Sequence, residues 1–282
     1  MKQYLELVED VLENGHIRHD RTGVGTKACF GRQVRFDLRK GFPLCTTKKV
    51  RFKSVVRELL WLVSGSTNVK DLHSCKIWDA WADDNGDLGP VYGAQWRRWS
   101  AVPTSLSSES ETRGGKSAPE ATSVDQIQNA ITGLRNNPWG RRHIVNAWNV
   151  GEISKMALPP CHMFFQFFVH ENEGHKYLSC QMYQRSADLA LGVPFNIASY
   201  AALTHMIAQQ VGMIPFEFVH TFGDVHIYQN HEDGLREQLK RSLGKLPTLN
   251  LNNPGSIDGY QLSDFKLENY VYAPAIKFPI AV

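Results

Sequence analysis

The strand-like segments in the second half of the chain constrain its fold most. Runs over Met163–Val169, Tyr177–Tyr183 and Glu217–Tyr228 have the length and the residue types of strands. A helical pattern over Ala198–Val211 lies between the last two of them. A doubly wound sheet requires a regular alternation of strands and helices, which this chain lacks. The pattern therefore predicts an α+β fold.

The remaining segments give a coarser outline. Apolar residues at helical spacing predict a first helix that stops near Gly15 and a second helix over Phe52–Val63, and His143–Trp148 predicts a further strand. Residues 101–122 are rich in Ser, Thr, Glu, Gly and Pro, and they contain few large apolar side chains. This composition predicts a flexible surface insertion within one catalytic domain that spans residues 1–282.

Charge and cysteine usage exclude several classes of function. The net charge of +3 implies no polyanionic partner, so no nucleic acid is required. The five scattered cysteines form no CxxC pair, which argues against a disulfide framework and favours a reducing compartment. The acidic first helix is unlike a signal peptide, and no apolar run reaches the roughly 20 residues that span a bilayer. We therefore expect a cytoplasmic protein without a membrane segment.

Cys161 is the strongest candidate for chemistry. It follows Pro159-Pro160 and precedes His162 at the start of a predicted strand. A buried structural thiol is the ordinary alternative for a single cysteine. A thiol becomes a nucleophile near neutral pH when neighbouring cations stabilise its thiolate, and arginines are available elsewhere in the chain. The rigid approach and the polar neighbour favour the nucleophile.

Arginines supply the candidate anion site, although each one alone is more often a solvated surface charge. Arginine suits bidentate contact with phosphate oxygens. The Gly23-x-Gly25 loop is only a weak phosphate signal, because it lacks the sequence context of a known phosphate loop. The candidates are Arg21, Arg141, Arg142 and Arg185.

Other polar and aromatic residues have a functional and a structural interpretation. Glu58 lies beside apolar helix residues, and burial would raise its pKa towards neutrality. Trp78 and Trp81 could stack on a planar ligand or belong to the core. His226 and Tyr228 alternate along a predicted strand and therefore share one face. A metal site is not expected, since His226 and His231 have no third ligand at a suitable spacing.

Asn196 predicts the identity of a ring ligand. It could instead be a turn or capping residue, because asparagine often bonds nearby backbone groups. Its amide offers a donor and an acceptor side by side. This pair matches the O4 acceptor and the N3–H donor of uracil, whereas cytosine presents the reverse pattern and would suit a carboxyl group. Asn196 therefore favours a uracil ring.

Taken in order, the motifs resemble the folate-dependent, cysteine-using thymidylate synthase family over nearly the whole chain, apart from the insertion and residues 238–260. That resemblance implies a single domain with a large mixed, twisted sheet flanked by helices. The matching segments are Asp20-Arg-Thr-Gly23, Phe42-Pro-Leu44, Thr46-Thr-Lys-Lys49, Glu58-Leu-Leu-Trp61, Trp78-Asp-Ala-Trp81, Asp87-Leu-Gly-Pro-Val-Tyr-Gly-Ala-Gln-Trp96, Arg141-Arg142, Pro159-Pro-Cys-His162, Gln184-Arg-Ser-Ala-Asp188, Leu191-Gly-Val-Pro-Phe-Asn-Ile-Ala-Ser-Tyr200, Gly223-Asp-Val-His-Ile-Tyr-Gln-Asn-His231 and Ile280-Ala-Val282.

The resemblance implies that Cys161 adds to C6 of dUMP, and that C5 then takes a one-carbon unit from 5,10-methylenetetrahydrofolate and is reduced. The products would be dTMP and dihydrofolate, and a homodimer would share arginines across its interface. The implied catalytic residues are Cys161, Glu58, Tyr92, His162, Asp188, Asn196 and Arg185. The implied dUMP-binding residues are Arg21, Arg141, Arg142, Arg185, Ser186, Ala187, Asp188, Asn196, His226 and Tyr228. The implied folate-binding residues are Lys48, near the glutamate tail, Arg51, Ile77, Trp78, Trp81, Asp188, Gly192 and Ala281.

Four positions depart from the family pattern: Ala190, Phe216, Asn146 and Arg51. Loss of bulk at Ala190 could admit water to the site, which leaves a dUMP hydroxymethylase as the alternative. That enzyme would trap the methylene intermediate with water instead of reducing it. Trp78, Leu158 and the terminal residues favour the reductive enzyme. A noncatalytic nucleotide-binding relative is a further class, but it would be expected to lose Cys161 or Glu58.

Overall fold

The computed structural model describes residues 1–19, 23–73, 75–101 and 122–280. The α-helices within these ranges are α1 Lys2–Asn14, α2 Phe52–Ser64, α3 Tyr92–Arg97, α4 Gln126–Asn136, α5 Gly192–Val211 and α6 Glu232–Leu239. The strands are β1 His16–Arg18, β2 Thr26–Asp37, β3 Trp99–Ala101, β4 Thr122–Val124, β5 Ile144–Asn146, β6 His162–Asn172, β7 His175–Asp188, β8 Ile214–Tyr228, β9 Thr248–Leu251 and β10 Phe265–Glu268.

A six-stranded mixed sheet forms the centre of the described fold, in the order β1-β2-β8-β7-β6-β5. Strands β7 and β8 pair in parallel, while the other neighbours in this sheet are antiparallel. A parallel pair requires a long crossover, and α5 supplies it. The α+β architecture expected from the sequence is confirmed.

The core lies between one face of this sheet and the helices. Phe165, Phe167 and Phe218 project from the sheet and are at most 1% exposed. Helix α5 packs against β7 and β8 and is buried along most of its length. Helices α1 and α2 instead bury one apolar stripe each, as their spacing predicts. This packing holds the carboxyl end of β7 and the first turns of α5 rigidly side by side.

The predicted elements are present, mostly with longer bounds. Helix α5 begins at Gly192 rather than Ala198, because Pro194 is accommodated in a first helical turn. This earlier start places Gly192 and Asn196 on the helix. Strands β1–β4, β9 and β10 and helices α3, α4 and α6 were not predicted, and β5 is shorter than the predicted strand His143–Trp148. The whole of β2 pairs with β8, although its Arg32, Gln33 and Arg35 hide the strand pattern in the sequence.

The proposed insertion is flanked by a short hairpin. Strands β3 and β4 are antiparallel, and Ala101 pairs directly with Thr122. Residues 102–121 lie outside the described residues, so the prediction of a flexible insertion stays a prediction. The pairing places the two ends of the intervening segment next to each other.

Candidate active site

The backbone around Cys161 is fixed on both sides. Its N–H donates to the Tyr92 hydroxyl at 2.6 Å, and its carbonyl oxygen accepts from the Arg185 N–H at 2.9 Å. The Arg185 guanidinium donates to the carbonyl oxygens of Pro160, at 2.9 Å, and Pro159, at 2.8 Å. These bonds hold the thiol at the entrance to β6, as the two prolines suggested.

Burial dominates the acidity of this thiol. Removal from water raises the pKa of Cys161, and the Arg185 charge and a hydrogen bond with Tyr92 oppose that rise only in part. Arg185 therefore lies close enough to act on the thiol, as the sequence predicts. The positive charge of Arg185 does not outweigh desolvation, so the surroundings of Cys161 disfavour its thiolate.

Glu58 lies on α2 with its carboxyl group removed from water. Desolvation raises the pKa of Glu58 to about 7, and a hydrogen bond from the Trp78 indole opposes the rise. The distance from Trp78 Nε1 to Glu58 Oε1 is 2.8 Å. A carboxyl group that titrates near neutrality can both accept and return a proton. The elevated pKa agrees with the prediction from its sequence environment.

Aromatic rings form the wall next to Glu58. The Trp78 ring lies 5.8 Å from that of Tyr92 and 5.9 Å from that of Trp81. Trp78 is only 8% exposed, so it belongs mainly to the core. Ile77 and Trp81, in contrast, retain solvent-exposed apolar surface. These two side chains are the better candidates for contact with a planar ligand.

A chain of amides and imidazoles orients Asn196. Gln184 Nε2 donates to Asn196 Oδ1 at 3.0 Å, and Gln184 Oε1 lies 2.8 Å from His220 Nε2. Because a carbonyl oxygen only accepts, His220 Nε2 must carry the proton. The Asn196 NH₂ group is thereby left to donate, while its oxygen meets Gln184 and the His162 side chain. This arrangement is compatible with the uracil pattern described above.

His162 stands between the Cys161 loop and this chain. Burial lowers the pKa of His162 to about 4, against a hydrogen bond with Asn196. The imidazole is therefore neutral at pH 7. Its ring lies 5.3 Å from the ring of Tyr92, and its Nδ1 atom is buried without a hydrogen-bond partner among the described residues. A neutral imidazole can orient a proton carrier without repelling a cation.

Strands β7 and β8 pair in parallel, which places the candidates at the end of β7 beside the candidate His226 on β8. Ser186 pairs with Asp224, Ala187 with Val225 and Asp188 with His226.

His226 and Tyr228 both lie on β8, with ring centroids 5.4 Å apart. Asp224 Oδ1 lies 2.9 Å from His226 Nδ1, and Asp224 also pairs with Arg18. The His226 hydrogen bond and its charge, together with Arg18, lower the pKa of Asp224. The hydrogen bond between Asp224 and His226 Nδ1 fixes the orientation of the imidazole, so Nε2 faces away from the Asp224 carboxylate.

The remaining arginine candidates lie elsewhere. Arg141 and Arg142 are exposed, and the Arg141 carbonyl accepts from Gln166 Nε2 at 3.2 Å. Arg141 also lines a cavity of about 470 Å³ beside Gln166–Glu171, several residues along β6 from Cys161. Arg141 and Arg142 are therefore not brought to the Cys161 loop of their own chain. Arg21 and Ala281 lie outside the described residues.

Lys48, which the resemblance places near the glutamate tail of the folate, is enclosed by the protein. It is only 6% exposed, its ammonium donates to the carbonyl oxygen of Ala190, and it lies 4.7 Å from the Phe278 ring centre. Burial lowers the pKa of Lys48 to about 8. Arg51, at the start of α2, is exposed and better placed to meet an anion from solvent.

The four departures from the family pattern have structural explanations in part. Ala190 is fully buried, and its N–H donates to Asp188 Oδ1 at 2.8 Å. Asn146 Oδ1 accepts from the Trp148 N–H at 2.9 Å. Phe216 packs edge-on against His170, with 4.4 Å between ring centres.

Three functional candidates were not singled out from the sequence: His220, Asp224 and Gln184 in its orienting role. Gln184 and Asp224 stand within motifs quoted above, directly before Arg185 and two residues before His226. Alternation along β8 could have placed Asp224 on the face of His226. His220 becomes meaningful only through its contact across two strands, which no local pattern reveals.

The comparison with protein families gives one finding. A family model described as thymidylate synthase matches residues 2–282. Within the described ranges, no helix is long and apolar enough to cross a membrane. In the same ranges, no group of three His, Cys, Asp or Glu residues could hold a metal ion.

Proposed function

Since the chain belongs to the thymidylate synthase family, we propose that it methylates dUMP reductively, with dTMP and dihydrofolate as products. The enzymes of this family use 5,10-methylenetetrahydrofolate, and the chain is an enzyme of this type. The observation that carries the proposal is the fixed Cys161 backbone beside a neutral His162 and an oriented Asn196. A thiol and a uracil-reading amide on rigid elements suit nucleophilic attack on a pyrimidine.

Asn196 would recognise the base and stabilise its activated form. Its NH₂ group would donate to O4, and its oxygen would accept from N3–H. Addition of the Cys161 sulfur to C6 shifts electron density to O4 and C5. The same donor therefore binds more strongly as negative charge develops, which is how an oriented amide accelerates the step. Gln184 would keep the amide from flipping.

The nucleotide phosphate would complete the activation of Cys161. Arg185 already holds the loop through Pro159 and Pro160, and Ser186 follows it on β7. A bound phosphate would draw on Arg185, Ser186 and Arg21, while His226 and Tyr228 hold the sugar hydroxyl. Burial opposes the thiolate in the ligand-free chain. We infer that binding and thiol ionisation are coupled, and that the ionised sulfur is consumed as it attacks.

Glu58 would exchange protons at the base. With a pKa of about 7 it is present in both forms near neutrality. It can therefore serve proton transfers in both directions, including loss of the C5 proton after the one-carbon unit is attached. Tyr92 would assist through its hydroxyl, which already binds the Cys161 N–H.

The residues present fit a reduced folate. Asp188 offers a carboxylate whose Oδ1 meets the backbone N–H of Ala190, and Ile77 and Trp81 offer apolar surface for a flat ring. The folate would supply both the one-carbon unit and the hydride. Gly192 would let the ring approach α5 closely, and Arg51 would meet its acidic end. A bound folate over this surface would exclude water from the electrophilic methylene intermediate.

A homodimer is part of the proposal. Phe164 and Phe168 on β6 are 38% and 64% exposed, whereas Phe165 and Phe167 face the core. Exposed aromatic rings on a sheet face are typical of an interface. Arg141 lies beside this face through Gln166, so Arg141 and Arg142 could reach the phosphate site of a partner subunit.

The deciding experiment is a product assay with dUMP and methylenetetrahydrofolate. The nucleotide would be identified by mass, and the folate product by absorbance. We expect dTMP and dihydrofolate in equal amounts. Hydroxymethyl-dUMP with tetrahydrofolate would replace the proposal by the hydroxymethylase, and Ala190 would be the first residue to enlarge. Binding of dUMP without any turnover would support a noncatalytic relative.

A further inference from the structure

Residues Tyr270–Ile280, here called the 270–280 segment, are fastened across the fold. The Ala273 N–H donates to the Thr46 carbonyl oxygen at 2.8 Å, and the Tyr270 hydroxyl donates to the Cys45 carbonyl oxygen at 2.7 Å. Arg241 donates to the Pro274 carbonyl oxygen at 2.6 Å. The segment therefore has a defined seat between the chain around Thr46 and helix α6.

The far end of this seat is His231. Its Nε2 lies 2.7 Å from the Pro279 carbonyl oxygen, and its ring lies 5.1 Å from that of Phe278 and 5.4 Å from that of Tyr228. His231 is fully buried. Because a carbonyl oxygen only accepts, Nε2 must carry a proton. The bond to Pro279 therefore requires a ring that is protonated at Nε2, and it also fixes the orientation of the ring.

The opposite edge of the same ring faces Asp188. The distance from His231 Nδ1 to Asp188 Oδ1 is 3.7 Å, and Nδ1 is buried without a hydrogen-bond partner among the described residues. This distance is longer than a direct hydrogen bond, so this edge of the ring lies against the carboxylate without a direct bond to it. Asp188 Oδ1 also accepts the Ala190 N–H, so the imidazole borders a carboxylate that is itself held.

We propose that His231 is a positioning residue, which couples the seating of the 270–280 segment to the orientation of the Asp188 carboxylate. The inference rests on the proposed function, in which Asp188 faces the folate. When the segment leaves its seat, the ring loses its bond to Pro279 and becomes free to turn away from Asp188. The folate site would thus be complete only with the segment in place.

Three substitutions separate the two edges of the ring. His231→Gln can place an amide NH₂ near the former Nε2 and keep the bond to Pro279. His231→Asn can place a polar atom near the former Nδ1 but not reach Pro279. His231→Phe keeps the packing against Phe278 and loses both polar edges. We expect His231→Phe and His231→Asn to release the segment, and His231→Gln to retain it in part.

The first readout does not depend on activity. Hydrogen exchange of the 270–280 amides, followed by mass spectrometry on the ligand-free protein, should be about tenfold faster in His231→Phe and His231→Asn. Exchange in β7 and in α1 should be unchanged. Exchange of the segment at the wild-type rate in His231→Phe would overturn the proposed seat.

The second readout tests the coupling to Asp188. In the same two variants the KM for the folate should rise about tenfold while the dUMP dissociation constant stays within about twofold. His231→Gln, which keeps the bond to Pro279 but lacks the edge that faces Asp188, should restore much of the slow exchange while the folate KM stays raised. Equal loss of both ligands, together with a lower melting temperature and no rescue by Gln, would show a merely structural residue. A wild-type protein that forms no product would reject the proposed function, and the exchange result would still stand.

Gly234 offers an independent way to disturb the seat. A Cβ atom at Gly234 would lie 2.6 Å from Phe278 Cε1. Gly234→Ala would therefore displace Phe278 while His231 itself is not substituted. We expect the same faster exchange and the same selective rise in the folate KM. Normal folate KM with a released segment would break the proposed link between the segment and Asp188.

Discussion

Trp78 donates a 2.8 Å hydrogen bond to Glu58, a carboxyl group whose pKa lies at about 7 because it is removed from water. The indole is a donor only, so it favours the ionised carboxylate. Desolvation favours the neutral acid and is the larger effect. The pKa of Glu58 therefore lies near neutrality because desolvation raises it and the single hydrogen bond from Trp78 lowers it.

Trp78→Phe should raise the pKa of Glu58. A hydrogen bond to a charged group contributes about 1.5–3 kcal/mol, so its loss should raise the pKa of Glu58 by about one to two units. The limb of the pH profile of kcat/KM that reports Glu58 should shift to higher pH by that amount. Trp61→Phe is the matched control, because Trp61 Nε1 donates to the Asn68 carbonyl oxygen instead. An unmoved limb in Trp78→Phe would contradict the role given to the indole.

Glu58 should also make the stability of the fold pH-dependent. Its pKa rises from 4.5 to about 7 on folding, so the folded chain binds this proton more tightly than the unfolded chain. The contribution of Glu58 to stability is then fully present below pH 4.5 and is lost as the pH rises through about 7. The loss is about 3 kcal/mol at 1.36 kcal/mol per unit.

Glu58→Gln should remove that slope and abolish most turnover. Urea unfolding of both proteins at pH 5 and pH 8, at one protein concentration, measures the difference. Parallel pH dependence in wild type and Glu58→Gln would refute the burial effect.

Cys161 should be the thiol that iodoacetamide modifies first. It is half-buried, while Cys29, Cys45, Cys75 and Cys180 are buried. Since burial raises the pKa of Cys161, the labelling rate should keep increasing at pH values above the usual thiol range. Bound dUMP should block the reaction.

Cys161→Ala should remove both this label and turnover, while dUMP binding persists. The fraction of labelled peptide is measured by mass spectrometry. Turnover by Cys161→Ala would exclude a covalent mechanism. Cys180→Ala is the control, because burial raises the pKa of Cys180 to about 12 and the label should be unaffected.

Asp224→Asn should weaken the sugar site through His226. The carboxylate accepts from His226 Nδ1 and so leaves Nε2 available to a sugar hydroxyl. An amide can present its NH₂ group to Nδ1 and stabilise the opposite tautomer. We expect the KM for dUMP to rise about tenfold with a smaller change in kcat.

The control for Asp224→Asn is Arg18→Gln. It removes an exposed ion-pair partner of Asp224 and should change KM by less than about twofold. Equal effects of the two substitutions would assign the loss to charge and not to His226.

Shared arginines predict complementation between inactive subunits. Arg142→Ala and Cys161→Ala should each be nearly inactive alone. After mixing and subunit exchange, roughly half of the dimers are mixed and each has one intact site, so roughly a quarter of wild-type activity should return. Sedimentation should show dimers throughout. Dimers without recovered activity would place Arg142 outside the partner's site.

The sequence predicted the parts of the site that are local in the chain. Cys161 after two prolines, Glu58 on an apolar helix and His226 with Tyr228 on one strand all depend on neighbours within a few residues. The residues that orient them depend on the sheet. Gln184 reaches His220 only because β7 and β8 pair in parallel, and strand pairing over long separations is not encoded in any local period.

The effects of burial were also beyond the sequence. An arginine near a cysteine suggested a stabilised thiolate, yet the surrounding protein raises the pKa of Cys161. Lys48 is only 6% exposed and its ammonium donates to the Ala190 carbonyl oxygen, which no pattern in the surrounding sequence indicates. Exclusion of solvent depends on how several elements pack together. A sequence pattern can indicate the direction in which burial would shift a pKa, but not how deeply a side chain is buried.

The Ala101–Thr122 pairing has a consequence for how such a chain can vary. Because the flanking residues are neighbours in a hairpin, the closure entropy of the connection grows only with the logarithm of its length. Each doubling costs about 0.6 kcal/mol. Sequence can therefore be gained or lost between these two residues while Trp99, Val124 and the strands that carry Cys161 remain where they are. We expect a shortened connection to leave turnover nearly intact, which makes this hairpin the natural place to attach a tag or an additional domain.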